Sequence, residues 1–195
     1  MSLFRLIAAC WGLARAVIYR ARSYTFLVKT DIRLSRSSIE DRVFKVAIAQ
    51  MVMAWANIEV LLDYINAIII TETKASSTKL PMFLNPKLRL LRKFVTTIEA
   101  LAPVRKRALK LIDEIDPLKD VRHDIIHGRI RKSVDNSLME RKIIRHRLED
   151  GILVPYTKDY TLEEIADATD RMLDITDNLF DLLDKIETAL QGQTQ

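Results

Sequence analysis

Residues 37–71 read SSIEDRVFKVAIAQMVMAWANIEVLLDYINAIIIT, and this stretch decides the fold class. Ser37 followed three residues later by Glu40 is a capping box, in which a hydroxyl and a carboxylate each satisfy an orphan backbone N–H at a helix start. Behind it Val43, Val46, Ala47, Gln50, Met51, Ala54, Trp55, Ile58, Leu61, Leu62, Ile65 and Ile69 keep a wide apolar face at helical spacing. One long helix ending near Thr71 is expected.

The same signals organise the rest of the chain. Lys74 to Pro81, rich in Ser, Thr and Lys, reads as a loop. Asn85-Pro86 predicts an N-cap followed by proline at the first helical position, opening a second helix to about Leu101. Pro103 opens a third helix, and Asp116-Pro117 a short fourth one that ends at Gly128, read as a left-handed C-cap. Between Gly128 and Thr161 the period changes. Lys142 to Leu148 is rich in β-branched and basic residues, Asp150-Gly151 signals a tight turn, and Ile152-Leu153-Val154 follows, so a β-hairpin is expected over about 142–156. Thr161 with Glu164 forms a second capping box. It opens a final helix whose Ile165, Thr169, Met172, Thr176, Leu179, Leu183, Ile186 and Leu190 alternate spacings of four and three. The expected fold is an all-α bundle with a small β-hairpin before the last long helix, occupying residues 37–195.

Composition bounds the function. A chain of 195 residues, 49% hydrophobic and 29% charged, suffices for one ordinary core. Cys10 is the single cysteine, so no internal disulfide and no cysteine metal cluster is possible, and a cytoplasmic location is expected. With four glycines and no glycine-rich phosphate loop, nucleotide binding of the P-loop or Rossmann kind is excluded. The net charge of +5 is localised. Of 31 basic residues, Arg5, Arg15, Arg20, Arg22 and Lys29 all precede the first acidic residue, Asp31, which leaves 26 basic against 26 acidic in the remainder. Residues 1–36 therefore form a basic arm. Leu3, Ile7, Cys10, Ala14, Val17 and Ala21 make it amphipathic as a helix, suited to core or dimer packing, to peripheral membrane contact through residues 1–22, or to targeting. Arg5 and Arg15 interrupt the apolar run too soon for a membrane span, and no other stretch approaches spanning length without charge.

The chemistry-bearing stretch is Arg122-His123-Asp124-Ile125-Ile126-His127-Gly128, which holds two of the three histidines. Arginine offers a planar, permanently charged fork for phosphate oxygens, and histidine both takes and gives a proton near neutral pH. Arg122 is separated from His127 by four residues, a polar residue follows the arginine directly, a glycine follows the last histidine, and a long preceding helix carries Trp55-Ala56-Asn57-Ile58-Glu59. In these features the region from Ser37 to Leu190 resembles the HEPN superfamily of all-helical domains. His123 stands where that family more often has asparagine, which touches the detail of transition-state contacts.

The resemblance implies a metal-independent endoribonuclease of the toxin or phage-defence type, working without a cofactor as a homodimer whose two motifs meet, with an antitoxin or regulatory protein as a further partner. His127 then serves as general acid/base, Arg122 as phosphate clamp, and His123 as hydrogen-bond donor or second proton carrier. Helical geometry agrees with a shared site: at about 100° per residue Arg122 and His127 diverge by roughly 140°, while His123 and His127 share a face. His127 also falls in the last turn, where the helix macrodipole favours an imidazolium. Arg129, Arg131, Lys132, Arg145 and Arg147 are the expected sequence-independent RNA contacts, and Glu59 needs a partner, of which Arg122 is one candidate.

Rival readings stay open at this point. Arg122 can pair with Asp120 or Asp124 on the helix surface. His123 and His127 match half of a helical metal site but lack the HExxH pattern, and His146 reads as a surface strand residue. Asp167, Asp170, Asp174, Asp177, Asp181 and Asp184 make an acidic stripe on the last helix, read as a solvated face or as a docking surface for a basic element. The competing function class is a non-catalytic HEPN-fold module that binds nucleic acid or protein.

Overall fold

The computed structural model describes residues 36–73, 78–132 and 140–192. The basic arm, the start of the loop after the first helix and part of the Gly128–Thr161 segment lie outside the described residues, as do the Ser37 and Glu40 side chains of the first capping box. Helix α1 spans Arg36–Glu72, α2 Leu84–Thr97, α3 Ala102–Ile115, α4 Leu118–His127 and α5 Leu162–Gln191, with a short 3-10 turn at Glu99–Leu101. Between α4 and α5 run β1 (Arg129–Lys132), β2 (Glu140–Glu149) and β3 (Ile152–Thr161), an antiparallel sheet in the order β1-β2-β3.

The core forms between the two long helices, because each contributes an uninterrupted apolar stripe. From α1 come Met51, Trp55, Ile58, Leu62, Ile65 and Ile69, and from α5 Ile165, Met172, Ile175, Leu179, Leu182 and Ile186, all buried. Burial of a Leu, Ile, Met or Phe side chain contributes about 1.5–3 kcal/mol. Part of the expected α1 face turns outward. Val43 and Val46 are exposed, and with Ile39, Met53 and Val60 they form an apolar stripe on the side away from α5, since a helix that is apolar nearly all round cannot bury every side against one bundle. By length and composition Asp41–Glu72 is also apolar enough to cross a membrane, a signature the charge count along the sequence did not raise, and half of that apolar window is buried in the bundle. On α5 the seam takes Leu182 in place of Leu183. The Thr161 capping box is complete: Thr161 Oγ1 accepts from the Glu164 N–H at 3.0 Å, and Glu164 Oε2 accepts from the Thr161 N–H at 2.7 Å.

Several local expectations are corrected. Helix α2 begins two residues early, with Phe83 rather than Asn85 at the N-cap, so Pro86 lies inside the first turn where its missing N–H has no helical acceptor to lose. It also stops at Thr97 rather than near Leu101, and the 3-10 turn carries the chain into α3. The expected 142–156 hairpin extends over 140–161, and the short strand β1 joins it, pairing Ile130 with Ile143 and Arg131 with Lys142. At the hairpin tip Asp150 and Gly151 take φ values of 50° and 80°, as a two-residue turn between right-twisted strands requires.

Gly128 is not a left-handed cap: its φ is −89° and its ψ is 150°, open to any residue. Space is what demands glycine, because a β-carbon there would collide with the Ile143 side chain and the Asp124 carbonyl oxygen. Gly128→Ala is therefore expected to push β2 away from α4 and to lower stability by about 1–3 kcal/mol in urea unfolding, the usual range for overpacking. An unchanged midpoint would show that the strand yields freely.

Candidate functional site

Helix α4 presents different faces to different neighbours, and that division builds the site. Asp124, read from sequence as a surface partner for Arg122, is only 1% exposed. Its carboxylate meets Arg145 Nε of β2 at 2.5 Å, accepts a hydrogen bond from the Tyr160 hydroxyl of β3 at 2.8 Å, and lies 3.9 Å from Arg147. Burial, reinforced by the bond to Asp124, holds the Tyr160 phenol protonated well above its ordinary range. A second strand arginine, Arg141, is buried as well: it donates to Asp41 of α1 at 2.8 Å and lies over the Phe44 ring at 5.0 Å. Two arginines thus fasten the sheet to the helices.

Arg122 points elsewhere. Its guanidinium lies 4.0 Å from Glu59 Oε1 of α1, and that carboxylate is held by the Trp55 indole N–H at 2.7 Å. The pairing anticipated between Glu59 and Arg122 is thus present as a long contact. Arg122 Nε is buried without a hydrogen-bond partner. With His123, Glu59, Arg89, Lys119, Asp120, Arg145, His146 and Arg147 it lines a cleft of about 820 Å³. Trp55, a core residue at 3% exposure, also reaches its wall.

His123 and His127 share one face of α4 as their spacing predicts, with ring centres 4.5 Å apart. Partial burial first, then the charges of Arg145, His127 and Arg122, lower the His123 pKa below its ordinary 6.5, against the opposing pull of Asp124. A lowered histidine pKa means the unfolded chain binds the proton more readily. This group therefore favours the fold above pH 6.5 and progressively less as the pH falls from there through the lower folded value. The His123 imidazole resonance is expected to titrate with a midpoint below 6.5 in wild type, and closer to it in Arg122→Ala. A midpoint at or above 6.5 would contradict this electrostatic arrangement.

The structure brings together Arg122, His123, Glu59, Arg145 and Arg147, and sets His127 beside His123 but outside the cleft lining. It does not gather the basic residues expected to contact RNA on one surface. Arg145 is 8% exposed and committed to Asp124, whereas Arg147 is partly open and stacks over the Tyr156 ring at 3.4 Å. Arg129 and Arg131 are exposed on β1 but pair in register with Ile144 and Lys142, which alternate with Arg145 and so belong to the other sheet face. The Lys132 side chain lies outside the described residues. His146 is exposed on β2, as expected.

Sequence reading missed Arg89, Lys119 and Phe83 as cleft residues. Lys119 had a signal, since it precedes Arg122 by three and so shares its helix face, whereas Arg89 and Phe83 come from α2 with no pattern linking them to the motif. Among the described residues, no group of three or more His, Cys, Asp or Glu side chains is placed to hold a metal ion. No protein-family model matches the chain, and no curated protein or solved structure matches it.

Proposed function

We propose that this chain is a metal-independent endoribonuclease of the toxin or phage-defence type, with Arg122, His123 and His127 as a HEPN-type motif. One observation carries the reading: Arg122 and His123 line the same cation-rich cleft, and the His123 ring lies 4.5 Å from His127. That supports a phosphate-seeking fork working with His123 directly and with His127 next to it. His123, held toward its neutral form, removes the proton from the RNA 2′-hydroxyl, and the oxygen attacks the adjacent phosphorus. Arg122 stabilises the charge gathering on the phosphoryl oxygens. The bond to the 5′-oxygen breaks, His127 supplies the proton that oxygen takes up, and the products are a 2′,3′-cyclic phosphate and a 5′-hydroxyl.

His127 is exposed beside Ile126, which is 40% exposed, so one apolar side chain adjoins the second proton carrier. A twofold pairing of α4 helices there would let the histidine of one protomer serve the arginine of its partner. The Glu59 carboxylate near Arg122 favours the alternative, a non-catalytic binding module, to the extent that it neutralises the clamp.

The discriminating experiment compares an RNA with a DNA of identical sequence. The RNA is expected to be cut, with cyclic-phosphate ends detectable by mass spectrometry, and the DNA to remain intact because it lacks the attacking hydroxyl. Efficient DNA cleavage would rule the mechanism out. Binding of both strands without cleavage would favour the module.

A further inference from the structure

Two apolar side chains line the cleft and yet stay open to solvent: Phe83 is 71% and Leu148 70% exposed. They come from separate elements. Phe83 caps α2 and uses its carbonyl to accept from the Lys87 N–H at 3.1 Å, leaving the ring outside the core, while Leu148 precedes the hairpin turn. With Arg145 neutralised by Asp124, the cleft between those elements still carries Arg89, Lys119, Arg122 and Arg147 against Glu59 and Asp120, so its balance is cationic. An exposed aromatic ring at the rim of a cationic cleft matches a ligand that is planar and apolar at one end and anionic at the other. A nucleotide has that chemistry. Inorganic phosphate would use the cations alone, and a base still paired in a duplex would have no free face to offer the ring. The volume of about 820 Å³ has room for a ligand of nucleotide size.

We propose that Phe83 is the residue on which an unpaired base of the bound strand stacks, with Leu148 contacting the same nucleotide and the cleft cations holding the adjoining phosphates. The proposal rests on the nucleic-acid reading of the cleft but not on catalysis. Stacking on one ring is indifferent to base identity, so Phe83 imposes a requirement for an unpaired base and not for a particular one.

Fluorescence anisotropy of a short labelled 2′-deoxy oligonucleotide, which the proposed chemistry cannot cut, tests it beside the same strand with abasic sites. Phe83→Leu is expected to weaken binding of the intact strand by about 5- to 150-fold, the range for losing one base stack. The salt dependence of binding should be unchanged, because no phosphate contact is removed. Phe83→Trp should retain affinity, and the abasic strand should bind wild type and Phe83→Leu alike. Equal affinity of wild type and Phe83→Leu for the intact strand would overturn the proposal and turn the exposed ring toward a protein partner. Absence of strand binding by wild type would overturn it together with the nucleic-acid reading. Phe83-dependent binding without any RNA cleavage would instead sustain it while removing the ribonuclease reading alone.

Discussion

Asp124→Ala is expected to destabilise the fold by about 3–5 kcal/mol, because it strands the Arg145 guanidinium in the interior without its counter-charge. The loss is large against the roughly 5–15 kcal/mol that keeps an ordinary domain folded. Arg145→Ala should cost about as much, since it leaves the carboxylate of a 1%-exposed aspartate with only the Tyr160 hydroxyl and a distant Arg147. The double substitution Asp124→Leu/Arg145→Met removes both charges at once, so it should recover most of what either alanine variant loses. Urea unfolding of the four proteins checks this. Single variants within about 1 kcal/mol of wild type would show that the ion pair contributes little, a value typical of surface pairs.

The catalytic substitutions should behave in the opposite way. Arg122 is partly exposed and its ionic contact with Glu59 is as long as 4.0 Å, and His127 is exposed, so alanine at either position removes little packing. Stability is expected to move by no more than about 0.5 kcal/mol. RNA cleavage should fall at least about 10²-fold in each, the usual scale for loss of an acid/base group or of an oxyanion contact. Loss of activity that tracked loss of folded protein would assign both residues to structure instead. Because His127 lies beside His123 but outside the cleft lining, mixing Arg122→Ala with His127→Ala protein should restore some activity if protomers share a site.

Local signals were legible: the Thr161 and Glu164 box, the Asp150-Gly151 turn and the i, i+4 placement of His123 and His127 depend on neighbours in the chain, and each appears where the spacing puts it. Asp124 was not legible. A carboxylate between two charged motif residues reads as helix surface, and the partners that bury it, Arg145 and Tyr160, lie on strands far along the chain. For the same reason the basic hairpin read as one phosphate-binding surface. Strand alternation divides it, so that Arg145 turns inward while Arg129 and Arg131 take the other face. Gly128 was identified correctly as the end of α4 but for a different cause, because close approach of Ile143 is a tertiary fact with no local trace.

The most direct measurement is cleavage of a mixed RNA pool by the purified protein in EDTA, beside an Arg122→Ala/His127→Ala double variant. A ribonuclease built on this motif cuts the pool without divalent metal, leaves 2′,3′-cyclic phosphate ends, and loses that activity in the double variant while keeping its unfolding temperature. Cleavage that persists in the double variant, or that appears only when divalent metal is restored, would contradict it.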